Sequence, residues 1–576
     1  MKFFFYILII LCFKFNLSYS LTEIDITRGN LDPLPIAVSP LHVDKQSENY
    51  EIMALVINNV EHKNRNLISQ IYSYIRRRGL KKFVDNAVFK IVCKIESCIV
   101  RRISKFHNFY SKKKLDTEEF VTIEVKPKIS KSGLVYRYDE EDIKRIKALN
   151  LDLLVRGGGG ILRGDILDVC PNGVISFHHA DNEINRGGPP GFWEVCEKNP
   201  RTGFIIQRLK NELDGGDVLY KGFVSTSWFY SLNLAKLYEV ANPFFHQVLD
   251  DITSEKQNLS VHGKTPYSYP LYTTPSVFQT LIYMLKTSKV LASKISRKIQ
   301  GKSLRWGVAY QFSEKWDDIT LWRSKKISNP KNRFLADPFV IKKNGAHFCF
   351  VEDFDYKTNK GSISAYTITS SSCESLGIVL EEDFHLSFPF IFKYQSELFM
   401  CPETHEKGEI RVYKCTQFPT KWEFHTTLMK DVSAADSVIF ERDNTWWLFT
   451  NIDKSIVGDH GCQLHIFSAD NPLSDEWVAH TNNPVIFNPL VARNGGLIVS
   501  QNDIYRIYQR QGFNVYGEAC GIARITNLSS TEYVEETHSV IEPHFFKGIK
   551  GTHTYNFDSD LVVLDYVEVS KKATGT

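Results

Sequence analysis

The sequence has little excess charge of either sign. Its 70 lysines and arginines nearly balance 66 aspartates and glutamates, which leaves a formal net charge of +4 over 576 residues. Proteins that bind nucleic acid usually carry a strongly basic surface. The composition therefore gives no support for a nucleic-acid partner.

The sequence contains few cysteines and few methionines. The eleven cysteines are scattered and odd in number, and the nearest pair, Cys93 and Cys98, lacks zinc-ligand spacing. The sequence therefore predicts neither a disulfide framework nor a metal site. Only five methionines accompany 39 phenylalanines and 26 tyrosines, and this aromatic content favours a β-rich portion.

The apolar run at the N-terminus, Phe3–Phe13, is too short to span a bilayer unaided. Lys2 precedes it and Ser18 and Ser20 follow, so residues 1–20 are typical of a secretory signal peptide. That interpretation predicts a secretory or membrane-associated protein, with membrane contact through the N-terminus. The alternative is a buried first strand, which would fit a cytoplasmic protein.

Residues 151–219 have the features of a ligand site. The glycines Gly157–Gly160 allow a sharp turn whose backbone is open to a ligand. Val174–Phe177 is a buried-strand candidate, and His178 and His179 stand at its carboxyl end. Because ligands of open α/β sheets bind outside the carboxyl ends of strands, this segment predicts a site.

The strings GVISFHHADNEINRGGPP, TGFIIQR and ELDGGDVL, in that order, resemble the catalytic half of the 10-formyltetrahydrofolate-dependent formyltransferases. The resemblance implies that His178 is the catalytic histidine and Asp214 the catalytic aspartate. Ser176 falls where the family has an asparagine that holds the formyl oxygen. Losing one such donor costs about 3 kcal/mol of transition-state stabilisation, so activity could be weak, altered or lost. The resemblance implies that 10-formyltetrahydrofolate contacts the glycine-rich turn at Gly158, Gly159, Gly160, Ile161 and Leu162.

The same resemblance implies an α/β domain at residues 21–240, built on an open parallel sheet with helices. Residues 241–302 are predicted to form a helical linker, since Ser276–Gln300 has apolar residues at helical spacing. The alternative is a relict fold in which His178 and His179 are ordinary strand-end residues.

After Arg305 short apolar-aromatic runs recur between polar clusters. Strands this short and numerous indicate an all-β sandwich, barrel or propeller, and the tryptophan spacing favours a propeller at residues 303–570.

A second resemblance covers most of this half. The strings FLADPF, HLSFPF, CPE, WWLF, ARNGG and GTHTYN, in order, look like the N-terminal domain of the plant glucosamine inositolphosphorylceramide transferases. The domain also looks like the five-bladed propellers of some glycosidases, which implies central roles for Asp337, Glu403 and Asp436, with His553 beside them. We favour glycan binding over hydrolysis, because carboxylates and aromatic rings recognise sugars without cleaving them.

Together the two halves predict a formyltransferase-like transferase that acts on an amine, possibly of an amino sugar, while the propeller holds the glycan or glycolipid. The alternative is a protein of glycan or glycolipid assembly, in which the propeller acts and the formyltransferase-like domain is a scaffold. A glycosidase that uses Asp337, Glu403 and Asp436 is the third hypothesis.

Overall fold

The computed structural model describes residues 53–58, 67–107, 109–110, 121–130, 133–157, 160–212, 215–253, 266–500 and 503–571. The chain divides into two compact units. The N-terminal unit comprises Met1–Gly222 and Thr226–Ser288, and the C-terminal unit comprises Phe223–Ser225 and Lys289–Thr576.

Residues 1–20, the predicted signal peptide or first strand, lie outside the described residues. Within the described ranges no helix is both long enough and apolar enough to cross a membrane.

The helices of the described residues are α1 (Leu67–Arg78), α2 (Leu80–Val100), α3 (Glu140–Lys147), α4 (Phe192–Glu197), α5 (Tyr230–Thr253) and α6 (Val277–Ile299). Helix α5 runs through Pro243, where a proline interior to a helix costs roughly 3 kcal/mol. Phe244, Phe245 and Val248 after it are buried. Their burial offsets that cost, because each fully buried apolar side chain contributes about 1.5–3 kcal/mol.

The strands before residue 226 are β1 (Ala54–Asn58), β2 (Val121–Val125), β3 (Lys128–Ile129), β4 (Val135–Arg137), β5 (Leu154–Arg156), β6 (Ile161–Leu162), β7 (Val174–His178), β8 (Arg201–Arg208) and β9 (Asp217–Ser225). They form a parallel β1–β2 pair, a β3–β4–β6 sheet and a β5–β7–β8–β9 sheet. Strand β7 pairs parallel with β5 but antiparallel with β8.

The expected open parallel sheet is therefore wrong in part, because the sheets of this unit are mixed. An apolar run predicts a strand but not its direction. Helix α4, between β7 and β8, has six residues and so rises only about 9 Å. That is shorter than β7 itself, at about 3.3 Å per residue, so α4 does not supply the return that a parallel crossover needs.

The strands of the C-terminal unit are β10 (Lys302–Phe312), β11 (Lys325–Lys326), β12 (Arg333–Lys343), β13 (Ala346–Asp355), β14 (Lys360–Ile368), β15 (Cys373–Leu380), β16 (Ser387–Tyr394), β17 (Glu397–Glu403), β18 (Glu409–Gln417), β19 (Lys421–Lys430), β20 (Ala434–Arg442), β21 (Thr445–Ile452), β22 (Gln463–Ala469), β23 (Val478–Ala479), β24 (Ile486–Phe487), β25 (Arg493–Ser500), β26 (Asp503–Gly512), β27 (Val515–Leu528), β28 (Tyr533–Ile541), β29 (Ile549–Gly551), β30 (Tyr555–Asp558) and β31 (Leu561–Lys571).

These strands form sheets of consecutive, antiparallel strands. Four of the sheets are β12–β15, β16–β19, β20–β23 and β25–β28. In the fifth, the C-terminal strand β31 pairs with β10 on one side and with β30 on the other. The first strands of these four sheets and strand β30 of the fifth pack side by side in the order β12, β16, β20, β25, β30, and β30 packs beside β12. The C-terminal region is therefore all-β, as predicted.

The first strands share a local irregularity. The register shifts between Ala336 and Phe339 in β12, between Ser387 and Phe390 in β16 and between Ala435 and Val438 in β20. Within these bulges Asp337, Phe388 and Asp436 all have a φ of 48°. A positive φ is strained for a residue with a Cβ, and β-bulges are frequent next to active sites because they re-aim a side chain.

Candidate functional site

In the N-terminal unit, His178 at the end of β7 and His179 after it differ in their surroundings. The His178 Nε2 atom lies 2.8 Å from the backbone oxygen of Asn185. Because a carbonyl only accepts, Nε2 carries the proton in this contact. The His179 ring stacks on Tyr238 at 3.8 Å between centroids, and burial lowers the pKa of His179 to about 3. His179 is therefore a neutral packing residue, and His178 is the polar member of the pair.

Ser176 is buried and already hydrogen-bonded. Its Oγ accepts from Arg156 Nη1 at 3.1 Å and donates to the Phe177 oxygen at 3.1 Å. Asn185, only 1% exposed, has a side-chain Nδ2 with no hydrogen-bond partner among the described residues. Leaving a buried amide without a hydrogen bond lowers the stability of the fold. The sequence analysis did not single out Asn185.

Not every residue of the predicted formyltransferase site can be placed. Asp214, Gly158 and Gly159 lie outside the described residues. Gly160 has a φ of 87°, and a Cβ there would come within 3.1 Å of the Tyr136 ring. The two remaining predicted contacts, Ile161 and Leu162, form β6 and pair in parallel with β4.

The N-terminal unit also buries an acid that was not predicted. Glu194 in α4 is 5% exposed, and neither carboxyl oxygen has a hydrogen-bond partner among the described residues. Burial raises the pKa of Glu194 to about 7. The surrounding sequence, Phe-Trp-Glu-Val, is typical of a buried helix, so the spacing of residues did not indicate a functional acid here.

In the C-terminal unit, Asp436 and Glu403 meet at Arg493. The Oδ2 atom of Asp436 accepts from Arg493 Nε at 2.5 Å and from Gln509 Nε2 at 2.8 Å. Arg493 Nη2 lies 3.5 Å from Glu403 Oε2. One guanidinium therefore serves two buried carboxyl groups.

These two carboxyl groups have opposite protonation tendencies. Burial raises the pKa of Asp436 to about 8, although Arg493 acts in the other direction. Burial alone would also raise the pKa of Glu403, but the His405 ring, whose Nδ1 lies 2.7 Å from the carboxylate, and the charge of Arg493 hold it well below its usual range. At neutral pH the pair therefore holds one proton and one negative charge.

Asp337 and His553 belong to an adjoining cluster. Thr554 Oγ1 donates to Asp337 Oδ1 at 3.0 Å, and His553 Nε2 lies 3.5 Å from the same oxygen. His553 Nδ1 contacts Asp565, which also accepts from the His553 backbone N–H at 2.8 Å. Burial lowers the pKa of His553, but Asp565 and Asp337 outweigh it and the pKa is raised. Burial raises the pKa of Asp337.

Asp337, His553 and Asp565 are close enough to hold a metal ion, since one ligand atom from each lies within 4.8 Å of the others. Both ring nitrogens of His553, however, already face carboxylates. The three side chains therefore lie as an Asp–His–Asp charge cluster, with the imidazole between two carboxylates.

Four further residues complete the site, and the sequence analysis assigned a role to none of them. They are Arg493, Glu352, Trp306 and Tyr516. Burial and the neighbouring carboxylates raise the pKa of Glu352 well above its usual range, and His385 Nε2 lies 3.6 Å from it. Trp306 stacks on the His553 ring at 3.9 Å. Tyr516 is 46% exposed, and the Arg493 guanidinium lies 5.1 Å from its ring.

The site therefore has a buried floor of acids and a more open aromatic edge. The structure brings together four residues that were chosen from separate sequence strings: Asp337, Glu403, Asp436 and His553. They lie close enough for their charges to shift one another's pKa values. Sugars are bound by such combinations of hydrogen-bonding groups with ring faces.

Residues 310–564 match the family model described as "Glucosamine inositolphosphorylceramide transferase 1, N-terminal". The protein named Glucosamine inositolphosphorylceramide transferase 1 from Oryza sativa subsp. japonica is 35% identical over 247 residues, which is 42% of this chain and 32% of that protein. The protein of that name from Arabidopsis thaliana is 34% identical over 212 residues, or 36% of this chain and 27% of its own. The chain thus spans about a third of the length of these curated relatives.

Methionyl-tRNA formyltransferase from Bacillus subtilis (strain 168) is 26% identical over 216 residues, 36% of this chain and 63% of that protein. Both resemblances seen in the sequence are thereby confirmed, the formyltransferase one at low identity. Among solved structures, the family 117 glycoside hydrolase Zg3597 of Zobellia galactanivorans covers 47% of this chain and 92% of its own, with a TM-score of 0.30 and 11% identity. The GH62 alpha-L-arabinofuranosidase domain of Coprinopsis cinerea covers 46% and 97%, with a TM-score of 0.31 and 11% identity.

Proposed function

We propose that the C-terminal unit is a five-bladed β-propeller that binds the sugar portion of a glycan or glycolipid. The proposed binding residues are Arg493, Glu403 and Asp436, with Asp337 and His553 adjoining and Tyr516 at the open edge. The supporting observation is that the Arg493 guanidinium contacts both buried carboxyl groups, Asp436 at 2.5 Å and Glu403 at 3.5 Å. This set offers a neutral carboxyl, a carboxylate and a cation, so it can both donate to and accept from sugar hydroxyls.

The position of Arg493 favours binding over hydrolysis. Its guanidinium lies 2.5 Å from Asp436 Oδ2 and 3.5 Å from Glu403 Oε2. A carboxylate that is paired with a buried cation is a weaker nucleophile and base, because the cation stabilises its charge. We therefore place these two residues in sugar recognition.

The test is calorimetric titration of the purified chain with glucosamine and with myo-inositol 1-phosphate. We expect Arg493→Gln to weaken binding at least about tenfold, because a hydrogen bond to a charged group contributes about 1.5–3 kcal/mol. Glu403→Gln should also weaken it. Glu397→Gln is the matched control, since Glu397 lies on the same strand, β17, with its side chain 49% exposed. Equal affinity in all four proteins would refute the proposed site.

The second proposed activity is formyl transfer in the N-terminal unit, from 10-formyltetrahydrofolate to an amine, such as that of an amino sugar. The observation that favours it is the pairing of His178 with Asn185, whose buried Nδ2 has no partner among the described residues. In this proposal Asn185 supplies the amide donor that Ser176 cannot. The amine nitrogen attacks the formyl carbon, the bond from that carbon to N10 of the folate breaks, and the amine proton passes through His178 to the departing tetrahydrofolate.

Transfer of a labelled formyl group from 10-formyltetrahydrofolate to glucosamine tests this activity. His178→Ala should abolish transfer, and Asn185→Ala should reduce it by about 10²–10³, the usual effect of losing one oxyanion donor. His107→Ala is the control, because His107 is exposed. Transfer that survives His178→Ala would contradict the assignment and leave the sugar-binding proposal intact.

A further inference from the structure

Helix α6 presents an exposed apolar face. Seven large apolar side chains on it are between 41% and 81% exposed: Phe278, Leu281, Met284, Leu285, Leu291, Ile295 and Ile299. At 3.6 residues per turn they fall on one continuous stripe. A stripe of this width and length, uncovered in a helix of 23 residues, is not the pattern of scattered surface apolar groups.

The opposite face of α6 anchors the helix. Thr280 and Tyr283 are buried, and Tyr283 Oη accepts from the Tyr230 backbone N–H at 2.8 Å. Tyr283 Oη also contacts the buried Glu96 carboxylate. The buried face fixes the rotation of the helix about its axis, so the apolar stripe points away from these contacts.

The charge of α6 has one sign. The helix contains Lys286, Lys289, Lys294, Arg297 and Lys298, and no aspartate or glutamate. The helical periodicity places Lys289 and Lys298 at the two edges of the apolar stripe. Lys286, Lys294 and Arg297 lie on the face away from it, where Lys286 donates to the Cys196 backbone oxygen and Lys294 to Asn514 Oδ1. An apolar stripe bordered only by cations is typical of helices that lie in the plane of a membrane surface.

We propose that α6 docks the protein on an anionic lipid surface, with the apolar stripe in the acyl–headgroup boundary and Lys289 and Lys298 on lipid phosphates. The positive charge of α6 favours anionic lipid over a second copy of the helix as the partner of this face. Two copies of α6 packed face to face would bring cations near cations, which costs energy, whereas anionic lipid complements both the stripe and its border. This docking is separate from the sugar-binding proposal.

Vesicle flotation tests the proposal. The full chain should float with phosphatidylserine-containing vesicles and much less with vesicles of phosphatidylcholine alone. The variant Leu285→Gln/Ile295→Gln/Ile299→Gln should partition at least about tenfold less. The control Ile456→Gln/Val478→Gln/Val499→Gln removes three equally exposed apolar groups elsewhere and should partition like the parent.

The charge contribution is measured separately. Lys289→Gln/Lys298→Gln should weaken flotation, and so should high salt, because both reduce attraction to anionic lipid. No flotation by the parent chain, or equal loss in the α6 variant and the control, would overturn the proposal. Dimerisation that is lost in the α6 variant, without flotation of the parent, would assign the stripe to a second copy instead.

Discussion

At the residue scale, the central feature is the Arg493 guanidinium, which contacts both buried acids, Asp436 and Glu403. Burial keeps Asp436 neutral, while His405 and Arg493 keep Glu403 charged. Sequence strings pointed to both acids but not to Arg493 as the group that joins them. Arg493 is 57 positions from Asp436 and 90 from Glu403, so no local spacing could show that the three side chains meet.

The raised pKa of Asp436 predicts a pH dependence of stability. A carboxyl whose folded pKa is about 8, against about 3.9 unfolded, stabilises the fold fully below pH ~4 and loses that contribution as pH rises through 8. We therefore expect the free energy of unfolding of the parent, minus that of Asp436→Asn, to fall by on the order of 1 kcal/mol per pH unit between pH 5 and 8.

Denaturant unfolding at several pH values measures this difference. Asp443→Asn is the control, because the Asp443 side chain is 88% exposed. A difference between parent and Asp436→Asn that stays flat from pH 5 to 8 would mean that Asp436 is ionised in the folded protein.

At the element scale, the bulges in the first strands of three sheets position the site. Strings such as LADPF and LSFPF were recognised in the sequence, but the bulge that they share was not, since a positive φ at aspartate or phenylalanine has no signature in the residue types. Two of the bulges present acids, Asp337 and Asp436, and one presents Phe388, which is fully buried and packs edge-on against Phe339 at 4.8 Å.

This contrast predicts a structural role for the third bulge. Phe388→Ala should lower the free energy of unfolding by about 3–5 kcal/mol, as expected for removing a buried aromatic ring. Phe424→Ala is the matched control, because Phe424 is 52% exposed and its loss should cost far less. Denaturant unfolding of both variants gives the comparison; equal losses would show that Phe388 is not a packing residue.

At the scale of the whole molecule, the sequence predicted much of the architecture. The short apolar-aromatic runs that recur after Arg305 correctly predicted an all-β region, because short strands separated by polar turns give a clear sequence pattern. The direction of β8 was missed, because an apolar run reads the same whichever way the strand runs. Of the predicted site residues, those of the formyltransferase-like segment remain predictions, with Asp214 outside the described residues.

The most direct test of the central claim is a crystal structure of the chain with glucosamine bound. The account predicts the sugar within hydrogen-bond distance of Arg493 or Glu403, with a ring face against Tyr516. Glucosamine bound elsewhere in the C-terminal unit, with the Asp436–Arg493–Glu403 contacts unchanged and water at Tyr516, would contradict it.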